Sequence, residues 1–172
     1  MGMDVIGKKP KNEKGEYFRN NVWWWRPLAT FICDTYPDLA EQCEYWGSND
    51  GDGLDAKTSL QLAKLIRQDL ANGKVAEFER EYNTWRAELP REKCSFCEAT
   101  GIRRDEVGQE NGMPDKELAE EVKILVGREF GWCNSCDGVG TTENWNAGYP
   151  FSIDNVKEFA KFLENCGGYE IW

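Results

Sequence analysis

Several stretches of the chain place apolar residues three and four positions apart, a spacing that predicts amphipathic helices. The clearest runs from Val75 to Leu89 and stops at Pro90, because proline cannot continue a helix. The helix before it is predicted to begin after Asp55, a good N-terminal cap, and to end at Asn72-Gly73. The middle of the chain is therefore predicted to be helical.

The N-terminal pattern is different. Residues 1–15 combine a short apolar start with glycine, proline and lysine, which predicts a strand stub and a loop. The run Tyr17–Trp25 is aromatic and β-prone, and it predicts a strand. Pro27 fits the first turn of a helix that follows this strand.

Three consecutive tryptophans and an arginine end this segment: Trp23, Trp24, Trp25 and Arg26. In an extended chain, Trp23 and Trp25 would share one face and Trp24 would point to the other. Tryptophan and arginine are enriched at binding hot spots, so the cluster is a candidate binding surface. A strand packed on both faces would bury all three indoles, and this is the favoured interpretation.

The strongest chemical signal is a pair of Cys-x-x-Cys motifs, Cys94/Cys97 and Cys133/Cys136, separated by 35 residues. The chain has seven cysteines, an odd number that argues against a disulfide framework. Each motif can present two sulfurs to one tetrahedral zinc ion. Because four thiolates leave no coordination position for water, we predict one structural Zn²⁺; metal-free redox motifs are the alternative.

The residues around the cysteines carry a resemblance. Cys133-Asn-Ser-Cys136-Asp-Gly138-Val-Gly140 resembles the Cys-x-x-Cys-x-Gly-x-Gly repeat of the cysteine-rich region of DnaJ-type chaperones. Cys94-Ser-Phe-Cys97-Glu-Ala99-Thr-Gly101 resembles it too, with Ala99 in place of the first glycine. The resemblance implies that the two repeats close one zinc site. It covers these motifs alone, and the chain has no histidine for the His-Pro-Asp of a J domain.

These patterns together predict an α+β or mainly helical single domain with a four-cysteine zinc-knuckle hairpin that carries an inserted helix. The segments that follow the two knuckles, Gly101–Arg104 and Val139–Thr142, are predicted to pair as strands. The predicted parts are a basic aromatic N-terminal segment (1–26), a helical core (27–90), a zinc-knuckle subdomain (91–148) with its inserted helix (114–127), and a C-terminal helix (151–167).

Charge is distributed unevenly. The formal net charge is −10, but residues 1–26 carry +3 and the remainder therefore −13. An acidic body disfavours binding to a phosphate backbone, and it favours a basic or nucleic-acid-binding protein as the partner. The basic aromatic segment supports an alternative, a single-stranded nucleic-acid-binding protein that stacks unpaired bases on tryptophan.

A further acidic loop contains Asp50, Asp52 and Asp55, with Gly53 at the sixth position of a calcium-loop pattern that Ser48 would begin. Serine at the first and twelfth positions does not fit that pattern, so a turn followed by a helix cap is favoured over a second metal. A divalent-metal-dependent enzyme built on this loop is the alternative. No nucleophile beside a base and no phosphate-binding glycine loop is recognisable, which favours a non-enzymatic protein.

No apolar run reaches the length of about 20 residues that a membrane span needs, and no signal peptide is recognisable. We therefore expect a cytoplasmic protein without membrane contact. A small, acidic, tryptophan-rich and zinc-clipped chain is similar to uncharacterised small phage and prophage proteins. That resemblance implies an anti-defence inhibitor, acting in the host cytoplasm on a nucleic-acid-binding or defence protein.

Overall fold

The computed structural model describes residues 2–172. Within this range it contains seven α-helices and two small antiparallel sheets, which confirms the α+β class. The helices are α1 (Val22–Thr35), α2 (Pro37–Ala40), α3 (Ala56–Ala71), α4 (Lys74–Ala87), α5 (Glu106–Glu110), α6 (Glu120–Val126) and α7 (Ile153–Leu163). The strands are β1 (Gly2–Gly7), β2 (Tyr17–Asn21), β3 (Glu92–Lys93), β4 (Thr141–Thr142) and β5 (Tyr169–Ile171).

The internal contacts divide the chain into two compact units. The main unit comprises the chain up to Glu88 together with Gly148–Trp172, and the cysteine unit comprises Leu89–Ala147. The cysteine unit therefore interrupts the main unit in sequence. Whether residues 1–172 form a single domain depends on whether the two units unfold together. The single domain therefore stays a prediction.

In the main unit, β1 is the central strand of a sheet with the order β2-β1-β5, and both pairings are antiparallel. Val5 is fully buried and lies between Phe18 on one side and Ile171 on the other. Helices α1, α3 and α7 supply much of the remaining core, in which Trp25, Phe159 and the β5 residue Tyr169 have no exposed surface. Burial of such large side chains is the dominant stabilising contribution.

Helix α3 shows how local sequence sets an element. The Asp55 carboxylate accepts the Thr58 N–H at 2.7 Å, as a helix N-cap does. At the other end, Gly73 adopts a φ of 86°, which is easy for glycine and stops the helix at Asn72. The predicted helix from Val75 is α4, and α7 lies within the predicted C-terminal helix.

The prediction of a strand through Trp25 is wrong. The strand ends at Asn21, and the three tryptophans lie in α1. The reason is a cap, because the Asn21 side chain accepts the Trp24 N–H at 3.2 Å and so starts the helix before the tryptophans. Pro27 consequently lies inside α1 and not in its first turn.

The predicted strand pairing after the knuckles is also wrong. The observed pair is β3 with β4, so the strand before the first knuckle pairs with the strand after the second. The segment after the first knuckle instead contacts the segment before the second, where Arg103 N–H donates to the Trp132 carbonyl at 3.0 Å. The two knuckles are therefore antiparallel to each other: the segment before each knuckle lies beside the segment after the other.

The inserted helix predicted at 114–127 is shorter than expected. Pro114 lies in a 3₁₀ turn (Met113–Asp115), and α6 begins only at Glu120. Between them the chain is extended, with Glu117 bridged to Phe130 and the Leu118 N–H donating to the Glu129 carbonyl at 2.9 Å. The Leu118 N–H is used in this pairing, so it is not available for the hydrogen bonds of a longer helix.

Candidate metal centre

The four predicted cysteine ligands lie together in the cysteine unit. Their sulfur atoms all lie within 4.8 Å of one another, and all four residues are buried. The Cys94 and Cys133 sulfurs are 3.8 Å apart, and the Cys97 and Cys136 sulfurs are 3.7 Å apart. Four soft donors converging on one buried point can hold a metal ion.

The backbone after each knuckle is built in the same way. The second cysteine of each motif accepts an N–H from the glycine four residues on: Gly101 donates to the Cys97 sulfur and Gly140 to the Cys136 sulfur, both at 3.2 Å. Hydrogen bonds from the backbone favour the charged thiolate over the thiol. The glycines of the motif therefore contribute to holding negative sulfur, beyond their role in the turn.

The two knuckles also pack against each other through these glycines. A Cβ on Gly101 would lie 2.2 Å from the Gly138 carbonyl oxygen, and a Cβ on Gly140 would lie 2.4 Å from that of Ala99. Each terminal glycine thus touches the carbonyl at the first-glycine position of the other knuckle. No side chain fits at either contact, and the approach of the backbones brings the two sulfur pairs together.

The first knuckle has Ala99 where the chaperone repeat has its first glycine, and this alanine lies in left-handed backbone. Ala99 has a φ of 65°, and Gly138, at the equivalent position, has a φ of 86°. Left-handed backbone is unfavourable for alanine because its Cβ crowds the following carbonyl. The first knuckle therefore keeps the shape of the second at the expense of strain at Ala99.

Burial and backbone hydrogen bonds act in opposite directions on the pKa values of Cys94, Cys97 and Cys136. Burial raises the pKa of Cys136 to about 12 and also raises the pKa of Cys97. Burial opposes ionisation of Cys94 as well, but backbone N–H groups of Cys97 and Phe96 outweigh it and lower the pKa of Cys94 to about 7. A buried set of four thiolates therefore needs a cation to balance its charge.

Arg128 is a site residue that the sequence analysis missed. One of its guanidinium nitrogens donates to the Gly138 carbonyl at 2.6 Å and to the Gly131 carbonyl at 3.3 Å. It thereby joins the backbone on both sides of Cys133 and Cys136. No sequence motif identifies this arginine as a site residue, because its contacts depend on the fold of the insertion.

The tryptophan cluster is split by the helix on which it lies. Trp25 is fully buried and donates its indole N–H to the Trp46 carbonyl at 2.6 Å, so this indole belongs to the core. Trp23 is 40% exposed and Trp24 37% exposed. Arg26 lies over the ring of Tyr149 at 5.2 Å and donates to its hydroxyl at 3.1 Å. Successive residues of a helix point about 100° apart, so the three indoles point to different sides of α1. The favoured interpretation, in which all three indoles are buried, is therefore wrong.

Several cations of the N-terminal segment are close to acceptors in the main unit. Lys8 lies 3.4 Å from the Glu170 carboxylate, and Arg19 lies 3.9 Å from that of Asp4. The Lys11 ammonium donates to the Glu164 carbonyl at 3.0 Å. The local positive charge that supports single-strand binding is thus partly offset within the protein itself. That alternative stays a prediction.

The three carboxylates of the acidic loop are each used locally. Asp50 accepts the Ser48 hydroxyl, and Asp55 caps α3. Asp52 accepts backbone N–H groups from Glu44 at 2.5 Å, from Tyr45 at 3.0 Å and from Gly53 at 2.7 Å. Burial opposes ionisation of Asp52, but these N–H groups outweigh it and hold its pKa below the ordinary value.

The acidic loop does not gather these groups into a ligand set. Among residues 2–172, the four cysteines are the one group of three or more acidic or thiol side chains placed to hold a metal ion. The hydrogen bonds of Asp50, Asp52 and Asp55 are those of a turn followed by a helix cap.

Comparison with protein-family models, curated proteins and solved structures finds no match to this chain. The resemblance to the chaperone repeat therefore rests on the residues of the two knuckle motifs alone. In the described part of the chain, no helix is both long enough and apolar enough to cross a bilayer.

Proposed function

We propose that the metal is one Zn²⁺ ion and that its role is structural. A tetrahedral ion with Zn–S bonds of about 2.3 Å has sulfur–sulfur edges of about 3.8 Å. Two of the six sulfur–sulfur separations, Cys94–Cys133 at 3.8 Å and Cys97–Cys136 at 3.7 Å, equal this edge, and all six lie within 4.8 Å. This convergence of four buried sulfurs is the observation that carries the proposal. Zinc bound by four thiolates has no open position for water or substrate, so it stabilises and does not catalyse.

The composition of the cysteine unit supports a structural role. Apart from the four cysteines, its buried apolar side chains in the described Leu89–Ala147 segment are Met113 and Leu118. Two such side chains are too few to stabilise a unit of this size without a bound metal or a disulfide. A structural zinc ion contributes on the order of 10 kcal/mol in zinc-finger peptides, as much as the stability of a whole small domain. We therefore expect this unit to depend on zinc for its fold.

Metal analysis and chelation test this part. One zinc per chain is expected, and a strong chelator should unfold residues 89–147. Cys97→Ser and Cys136→Ser should lose the zinc, whereas the control Cys33→Ser, in the main unit, should retain it. Binding of Co²⁺ as a visible probe provides a second measurement, since a four-thiolate site gives intense sulfur-to-cobalt absorption. A chain without bound metal, or a fold unchanged by its removal, contradicts the proposal.

We further propose that the protein works as a non-enzymatic interaction module with a basic partner protein. The support is charge. The chain carries −10, and Leu89–Ala147 holds 12 acidic against 7 basic residues. Four thiolates and one Zn²⁺ make this unit more acidic by two further charges. Such a surface attracts a protein whose own binding site is basic, as nucleic-acid-binding sites are.

The finer form of this proposal is competition with nucleic acid. An acidic protein that occupies a basic groove blocks the phosphate backbone from the same groove, as an inhibitor of a host nucleic-acid-binding or defence protein would. The zinc-loaded protein is immobilised and used to capture proteins from a bacterial lysate. We expect it to capture basic proteins, and we expect added double-stranded DNA to release them.

A charge-reversed protein is the matched control. Glu106, Glu110 and Glu143 are exposed residues of the cysteine unit, and none of them is a cysteine neighbour. The triple variant E106K/E110K/E143K changes the net charge from −10 to −4 and should lose most of the captured proteins while keeping its zinc. Recovery of no basic protein above background, or capture that DNA and charge reversal leave unchanged, overturns the interaction proposal without affecting the zinc proposal.

A further inference from the structure

The most exposed large apolar side chains of the described residues lie on α6. Ile124 is 84% exposed and Leu125 is 68% exposed. The opposite side of this helix is occupied, since Val122 approaches Gly138 of the second knuckle. Helix α6 is therefore apolar on two sides, and one of these sides faces solvent. Exposed aliphatic surface of this kind is typical of an interaction site.

The order of side chains on this outer face follows from helix geometry. At about 100° per residue, Glu120, Ile124, Glu121 and Leu125 follow one another around the helix within an arc of about 140°. Acidic and apolar groups thus alternate across the face. We call these four residues the α6 face. Glu120 is already paired with Lys123 of the same helix at 2.7 Å, so a surface that covers the face must be apolar and must offer a cation to Glu121.

The main unit contains a groove with this chemistry, where α3, α4 and α7 meet. Its volume is about 490 Å³, and it is lined by Arg67, Leu70, Ala71, Ala76, Ile153 and Lys157. Four of these lining residues are aliphatic and two are cations. We call these residues the α3–α4–α7 groove.

One of the two cations of the groove can accept a new acidic partner. Arg67 is paired with Glu164 at 2.7 Å, and Lys157 with Asp154 at 2.8 Å. The Lys157–Asp154 pair is partly exposed, and such surface ion pairs contribute little to stability. The Arg67–Glu164 pair is bidentate, at 2.7 and 3.0 Å, so Lys157 is the cation that shares a new carboxylate at little cost.

We propose that the α6 face of one copy of the chain docks into the α3–α4–α7 groove of a second copy. Ile124 and Leu125 then cover the aliphatic residues of the groove, and Glu121 comes close to Lys157. A contact of one α6 face with another is disfavoured, because it would bring glutamates of both copies together. The proposed contact joins two different surfaces, so a docked pair keeps one free groove on the first copy and one free α6 face on the second, and further copies can add at both ends. This association is independent of the proposed function.

Sedimentation of the zinc-loaded full chain at increasing concentration tests the proposal. The contact is small, so measurements should extend to about 1 mM chain, where weak interfaces are populated. I124S/L125S should weaken the association by about 100-fold or more, because both aliphatic side chains lose their burial. Since both positions are exposed, the variant should keep its zinc and its unfolding temperature.

Charge reversal tests the register of the contact. Glu121→Lys should weaken association, and the double variant E121K/K157E should restore it, because each copy then presents the reversed pair. Salt alone is a poor test, since it screens this pairing together with the general repulsion between chains of net charge −10. Failure of the double variant to recover association overturns the proposed pairing.

Mixing two defective variants tests the two-surface geometry. I124S/L125S keeps the groove, whereas Ala76→Glu keeps the α6 face and places a bulky acid in the groove. Each alone should remain monomeric, and their mixture should form 1:1 dimers that do not grow further. A monomeric wild-type chain at every concentration, or a mixture that stays monomeric, overturns the proposal.

Discussion

Replacing Ala99 by glycine is expected to stabilise the cysteine unit, whereas replacing Gly138 by alanine at the equivalent position is expected to destabilise it. Ala99 has a φ of 65°, and left-handed backbone costs a non-glycine residue about 1–2 kcal/mol. Glycine removes that cost but increases the entropy of the unfolded chain, which offsets about 0.4–1 kcal/mol. The net gain for Ala99→Gly should be about 0.5–1 kcal/mol.

Gly138→Ala adds a steric contact to the conformational cost. The new Cβ would lie 2.7 Å from Cδ2 of Leu118, a buried side chain that cannot move without disturbing its neighbours. We expect a loss of about 2 kcal/mol, made up of the left-handed backbone and this overlap. Gly112→Ala is the matched control, because Gly112 has a φ of 62° and open space around its Cβ position. It should cost about 1 kcal/mol from conformation alone.

The free energy of unfolding of the zinc-loaded protein, followed with a probe in residues 89–147, measures all three variants. Removing the overlap should recover part of the loss, so Gly138→Ala should cost less in a Leu118→Ala background than in the wild type. If Ala99→Gly destabilises the unit, or if Gly138→Ala costs no more than Gly112→Ala, then the strain and the contact described for the two knuckles are wrong.

Three further outcomes follow from the structure. Arg128→Met should weaken zinc binding by about 10-fold or more, because the hydrogen bonds to the Gly138 and Gly131 carbonyls are lost; competition with a metal indicator checks this, and unchanged affinity contradicts it. Trp25→Phe should cost about 2–3 kcal/mol in urea unfolding, because it opens a cavity and leaves the Trp46 carbonyl unpaired; Trp24→Ala, at an exposed position, should cost less. The Thr58 N–H holds the pKa of Asp55 below its ordinary value, so the stabilisation by this cap is present at neutral pH and is lost as the pH falls below about 4. The difference in unfolding free energy between wild type and Asp55→Ala should therefore shrink in acid, and a difference independent of pH would refute it.

The sequence by itself determined the features that depend on neighbouring residues. The cap at Asp55 and the stop at Gly73 require residues within one turn of the helix, and the 3.6-residue period of α4 is visible along the chain. The four cysteines are equally local, since each Cys-x-x-Cys turn presents two sulfurs whatever lies between the motifs. That both turns meet at one point agrees with the prediction.

The tertiary structure decided what depends on distant residues. Strand β4 pairs with β3, which precedes the first knuckle, because the two knuckles are antiparallel to each other. No local sequence pattern indicates that orientation. The strand-like pattern of the tryptophans was overridden at Asn21 by one hydrogen bond, and packing then placed Trp25 in the core and left Trp23 and Trp24 partly exposed. Arg128 became a site residue only when the insertion folded back onto Gly138. Periodicity and capping act between neighbours in sequence, whereas pairing and burial depend on which surfaces meet, and for this reason only the folded chain determines them.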